Sequence, residues 1–123
     1  MLTVDSIAQY GIPKEPLVTI SPNPARAGLA NGNTLLGFGV RLTRTIEIVN
    51  LVAACGYDWL FIDLEHGPTS VETAADLCTA ALAAGIAPLA RMSEADYSTA
   101  ARMLDAGAWV ILMPHIEQAA DAR

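Results

Sequence analysis

The residues best placed to do chemistry are Asp63, Glu65 and His66, which end the run Trp59-Leu-Phe-Ile-Asp-Leu-Glu-His-Gly-Pro68. The apolar residues from Trp59 to Leu64 do not alternate with polar ones, which reads as a parallel strand covered on both faces, stopped by Gly67-Pro68. In parallel α/β folds the chemistry gathers at the C-terminal ends of the strands, so a strand ending Asp-x-Glu-His marks a candidate site. Histidine suits such a place because it can both take and give a proton near neutrality. Asp63 and Glu65 share strand parity and His66 does not, so the strand must already be broken at His66. The plainer reading of His66 is a capping or loop histidine before a helix at Thr69. His115 follows another apolar stretch and could reach the same face, but a stray exposed histidine is the safer reading. A metal site made of Asp63, His66 and His115 is open by ligand type.

The elements that must position these groups follow a rhythm. Residues 1–22 carry Pro13, Pro16 and Pro22 and read as an irregular N-terminal arm. Asn23-Pro24 looks like an N-cap followed by proline at the first helical position, opening a short helix that ends near Gly32. Leu35 to Val40 is a strand, and Thr43 to Cys55 a helix with Ile46, Val49 and Val52 or Ala53 on one face. Thr69-Ser-Val-Glu72 has the form of a capping box for a helix running to Gly85. Ala87 to Met92 is a third strand, ending in Arg91, a charge that needs a partner at a buried strand end. Ser93 to Asp96 opens a helix whose Tyr97, Ala100, Ala101 and Leu104 form one face. Trp109 to Met113 is a fourth strand, and Ile116 starts another helix. Gly56, Gly85 and Gly107 recur 29 and 22 residues apart, each ahead of an apolar strand. Such an internal βα repeat implies a parallel sheet with right-handed crossovers, either doubly wound or a (β/α)8 barrel.

At 123 residues the chain can hold one domain with a real core. A full barrel needs about 250 residues, so four βα units after a leading helix imply the N-terminal half of a longer fold, residues 23–123, cut after the fourth strand. The net charge of −6, with seven basic residues scattered from Lys14 to Arg123, argues against nucleic acid and anionic membranes as partners. Cys55 and Cys78 both fall in apolar helical patterns and read as buried free thiols. The N-terminus lacks the pattern of a secretory signal, and no stretch reaches the length of a membrane span, so a reducing cytoplasm is expected.

Gly56-Tyr-Asp-Trp-Leu-Phe-Ile-Asp-Leu-Glu-His-Gly-Pro68 resembles the signature of the HpcH/HpaI aldolases, metal-dependent class II pyruvate aldolases such as 4-hydroxy-2-oxoheptanedioate aldolase. The likeness extends to Pro88-Leu-Ala-Arg91, Leu104-Asp-Ala-Gly-Ala108 and Val110-Ile-Leu-Met-Pro114, and to the intervals of 25 residues from His66 to Arg91 and 14 from Arg91 to Asp105. It implies a (β/α)8 barrel that cleaves a 4-hydroxy-2-oxo acid to pyruvate and an aldehyde. By resemblance His66 is the acid/base, Arg91 stabilises the pyruvate enolate, Asp105 raises the basicity of the histidine, and Asp63 sits near the waters of the metal. The resemblance also implies a divalent ion, Mg²⁺ or Mn²⁺ with Co²⁺ as a further option, whose Glu and Asp ligands would lie beyond Arg123. A homo-oligomer and a small 2-oxo acid substrate are implied as partners. His115 departs from the apolar residue expected there.

The residue types agree with that chemistry. A retro-aldol cleavage needs a base, a stabiliser for the enolate and an acid, and arginine stays cationic with a planar fork that fits an enolate. The other way to stabilise the carbanion is a Schiff base, yet the only lysine is Lys14, in the arm. Asp105, by pattern at a helix end on the face opposite the site, would need an inward loop or another subunit to reach His66. Two other functions remain open: a non-catalytic half-barrel acting as an assembly or binding module, since bare strand edges invite partners, and a related carbon–carbon lyase acting on an acyl-CoA.

Overall fold

The computed structural model describes residues 22–122, so the arm expected over 1–22 lies almost wholly outside the described residues. Helix α1 (Pro24–Ala30) begins as the sequence suggests: the Asn23 side chain accepts from the amide of Arg26 at 3.0 Å, and proline occupies the first turn. It leads into β1 (Gly37–Val40), α2 (Glu47–Ala54), β2 (Trp59–Asp63), α3 (Val71–Ala83), β3 (Ala87–Arg91), α4 (Tyr97–Asp105) and β4 (Val110–Leu112). The strands form one parallel sheet in the order β1-β2-β3-β4, each paired with its neighbour in sequence. This is an unbroken run of βα units of the barrel type.

The register sorts the side chains into two faces. One face packs on the helices: Val40, Leu60, Ile62 and Ala90 join Val49, Val52, Leu77, Cys78, Ala81 and Met103 in the core. Leu60, Ile62, Leu77 and Met103 are fully buried, each contributing roughly 2 kcal/mol of transfer free energy. The other face carries Trp59, Phe61 and Asp63 of β2 opposite Ala87, Leu89 and Arg91 of β3. Trp59 and Phe61 are only half-buried, so β2 is not covered on both faces as its continuous apolar run suggests. A Cβ at Gly37 would run into the Trp59 ring, so glycine is what lets the indole lie across β1.

Several local expectations shift. The cap of α3 is Ser70, which accepts from the Thr73 amide at 3.1 Å, one residue later than the Thr69–Glu72 box. Thr69 is buried, and its Oγ1 has no partner among the described residues. Helix α4 buries Ala100 and Met103, while Tyr97 and Leu104 are exposed. Its apolar face is thus turned from the one expected, because the long Met103 side chain fills the core. No helix follows Ile116 among the described residues; the Asp121 carboxylate accepts from the amides of Glu117 and Gln118 and holds a turn instead. Cys78 is buried as expected, but Cys55 caps the end of α2 and is exposed.

Candidate active site

The site lies at the C-terminal edge of the sheet, where β2 and β3 end side by side. Asp63, the last residue of β2, pairs in register with Arg91, the last of β3. Parallel pairing points both side chains to the same face, and they meet: Arg91 donates from Nε to Asp63 Oδ1 at 3.0 Å and from Nη2 to Oδ2 at 2.6 Å, a bidentate pair. The Phe61 ring lies beneath the guanidinium, 5.4 Å from ring centre to Cζ, one step back on the same face.

Asp63 also turns the chain. Its Oδ1 accepts from the amides of Glu65 at 3.0 Å and His66 at 3.1 Å, which ends the strand and swings His66 out of alternation. The carboxylate is 1% exposed. Burial works against its charged form, but the Arg91 hydrogen bonds and the two amides outweigh that and hold its pKa at about 2. The same pairing pushes the Arg91 pKa up from its ordinary value, against the effect of desolvation.

His66 is held by its backbone and free in its side chain. Its carbonyl accepts from Arg41 Nη2 at 2.8 Å, its amide is bonded to Asp63, and its ring is 59% exposed. Glu65, whose side chain is 10% exposed, lies between the rings and the guanidinium: Oε2 is 3.2 Å from Arg91 Nη1, and Oε1 is 3.7 Å from His66 Nε2 and 2.8 Å from His115 Nε2. The structure thus gathers Asp63, Glu65, His66 and Arg91 at one edge.

Asp105 is not among them. It is the exposed last residue of α4, at the end of a helix that leads into the start of β4, the opposite edge of the sheet. Two residues join the site that sequence reasoning left aside. Arg41 follows β1 directly, and its Nε stands 3.6 Å from Asp63 Oδ2; its position just past a strand end was the available signal. His115, read as a stray histidine, is exposed but bonded to Glu65 across the end of β3.

The described residues do not form a metal centre. No group of three or more His, Cys, Asp or Glu side chains among them is placed to hold an ion, which rules out the Asp63, His66 and His115 set in this arrangement. Asp63 is bonded to Arg91 and two amides, and Glu65 lies between Arg91 and His115.

Parallel βα units with ionisable groups gathered at the C-terminal strand ends define a segment of an α/β barrel enzyme fold. The sequence pattern of the HpcH/HpaI aldolase/citrate lyase family matches residues 42–123, and the chain belongs to that family. It is 39% identical over 95 residues to the 4-hydroxy-4-methyl-2-oxoglutarate aldolase of Chaetomium globosum, an alignment covering 76% of this chain and 35% of that protein. To the 2-keto-3-deoxy-L-rhamnonate aldolase of Salmonella gallinarum it is 34% identical over 101 residues, covering 82% and 38%. The crystal structure of an HpcH/HpaI aldolase from Desulfitobacterium hafniense matches with a TM-score of 0.74 at 28% identity, over 80% of this chain and 38% of that one. A crystal structure of a citrate synthase matches at 0.69 and 33%, over 76% and 38%. The chain therefore spans little more than a third of the length of these relatives, and its fold corresponds to part of their barrel.

Proposed function

We propose that this chain carries the proton-transfer and enolate-stabilising part of a pyruvate aldolase site, which cleaves a 4-hydroxy-2-oxo acid to pyruvate and an aldehyde. The observation that carries the reading is the pairing of an anchored, exposed imidazole at His66 with an anchored guanidinium at Arg91 on adjoining strand ends. His66 takes the proton of the 4-hydroxyl as the C3–C4 bond breaks. The oxygen left behind forms the carbonyl of the aldehyde, and the bonding pair passes to C3 and the 2-oxo oxygen as an enolate. Arg91 directs Nε, Nη2 and Nη1 at the carboxylates of Asp63 and Glu65, so the remaining N–H groups of its fork are available to the enolate oxygen. His66 then returns its proton to C3, giving pyruvate. Asp63 fixes both groups at once, and its low pKa keeps it charged throughout.

In this reading Asp105 acts from a neighbouring copy of the chain, since it is exposed and leads away from its own site. The described residues do not hold the divalent ion, which when bound would add to the stabilisation of the enolate by Arg91.

The test is exchange of the pyruvate methyl protons in D2O, followed by NMR with Mg²⁺ and with chelator, on this chain and on His66→Ala. Exchange that His66→Ala abolishes is the expected result. Exchange that survives in His66→Ala overturns the role of that residue, and no exchange in any condition shows that this chain by itself is no aldolase.

A second reading has its own support. The inner sheet face borders a groove of about 490 Å³ lined by Leu29, Leu35, Trp59, Leu89 and Val110, with Val110 and Leu112 exposed on β4. An open apolar face of this kind suits an assembly module. Light scattering at rising concentration separates the two: a monomer at every concentration removes this reading.

A further inference from the structure

His115 has three features that the reaction above leaves unused. It is the one non-glycine residue with positive φ among the described residues, at 57°, a conformation that side chains rarely adopt without a reason in their surroundings. Its Nε2 reaches 2.8 Å to Glu65 Oε1, from the exit of β4 over β3 to the exit of β2. The same oxygen is 3.7 Å from His66 Nε2, so two imidazoles face one carboxylate oxygen while Arg91 Nη1 holds the other at 3.2 Å. Resting on the aldolase reading, we propose that His115 is a positioning residue: by occupying Oε1 of Glu65 it keeps that carboxylate off the His66 ring and leaves the ring free to meet the substrate hydroxyl.

The contact to His115 sets where Glu65 Oε1 lies: at 2.8 Å from His115 Nε2 it stands 3.7 Å from His66 Nε2, outside good hydrogen-bond reach. Glu65 is largely shielded from water, so Oε1 needs a protein donor, and among the described residues only the two imidazoles stand near it. With His115 gone, a small rotation of Glu65 or His66 closes the 3.7 Å gap to a hydrogen bond. A His66 ring held that way is turned from the substrate and favoured in its protonated form, which cannot act as a base.

The other charged groups nearby are already engaged. Asp63 is bonded to Arg91, and Arg41 binds the His66 carbonyl and approaches Asp63. On the segment of His115 itself the charges are Glu117 and Asp121, the latter bonded to the amides of Glu117 and Gln118. His115→Gln retains an N–H donor for Oε1 without the ring, whereas His115→Ala retains none.

The chain contains two histidines, so each ring signal in an NMR titration is assigned by a single substitution. In His115→Ala the midpoint of the His66 titration is expected to move up by about half a pH unit or more, because the freed carboxylate favours the imidazolium. Pyruvate exchange should fall by up to about threefold at neutral pH, recover at higher pH and keep its KM. His115→Gln should restore most of both. A His66 titration unchanged in His115→Ala, with amide signals showing a folded chain, overturns the inference. The ring titration needs no turnover: absence of exchange in the parent defeats the aldolase reading while this readout still decides the role of His115.

Discussion

Asp63 and Arg91 end adjacent strands in register and close a bidentate ion pair whose shorter arm is 2.6 Å, with Asp63 almost wholly buried. The same carboxylate bonds the amides of Glu65 and His66, so one side chain sets the guanidinium and the turn that presents the histidine.

Replacing Asp63 by Asn should therefore cost more than one surface ion pair. It leaves a half-buried guanidinium facing an amide that cannot neutralise it, with an expected loss of about 2 to 3 kcal/mol. Urea unfolding at pH 7 measures this, and a loss within about 0.5 kcal/mol, the range of ordinary surface changes, contradicts it.

The pH dependence has a definite sign. The Asp63 carboxyl is lowered in the folded chain to about 2 from 3.8. Its contribution, about 2 kcal/mol, is present above the unfolded value and is lost as the pH falls from about 4 towards 2. The urea midpoint should drop through that window in the parent and drop less in Asp63→Asn.

Arg91→Lys keeps the charge and loses the fork. A lysine cannot bridge both oxygens of Asp63 while reaching Glu65, so exchange of pyruvate protons should fall at least about tenfold. The circular dichroism of the folded chain should stay nearly unchanged. Activity equal to the parent would remove Arg91 from the site.

The two thiols should separate cleanly. Burial pushes the Cys78 thiol up to about 12, while Cys55 is exposed at the end of α2. A disulfide reagent at pH 8 should modify Cys55 quickly and Cys78 only on unfolding. Equal rates in the native chain would mean that α3 does not shield Cys78.

Gly37→Ala tests the inner face. The new methyl meets the Trp59 ring, so the substitution should destabilise by about 1 to 3 kcal/mol. Trp59→Leu should make the same change far milder, and a thermal melt of the four chains closes the cycle.

Much of this architecture is legible in the sequence, and the reasons are local. Gly56, Gly85 and Gly107 all take positive φ, which is why the punctuation of the βα repeat could be read directly. The break before His66 followed from side-chain parity, but the strand ends at Asp63, ahead of the Gly67-Pro68 stop, because the Asp63 carboxylate captures the amides of Glu65 and His66. What was not legible depends on rotation and reach. Which face α4 buries is decided by Met103 against the core, not by the spacing of Tyr97 and Leu104. The cap at Ser70 in place of Thr69 is a one-residue choice that the backbone makes locally. Arg41 and His115 became site residues only when β1 and β4 were laid on either side of β2 and β3. Asp105 lies away from the site in its own chain, as its place at a helix end had suggested.

The inner face also has an optical consequence. Trp59 stacks edge-on against Phe61 at 6.4 Å, and Phe61 lies under Arg91, so the indole stands two steps below the reactive edge on the same face. Its half-buried ring borders the apolar groove. Its emission should therefore shift to the blue whenever that face is covered, making Trp59 a built-in fluorescent gauge of what closes over the sheet, readable in Trp109→Phe without any added label.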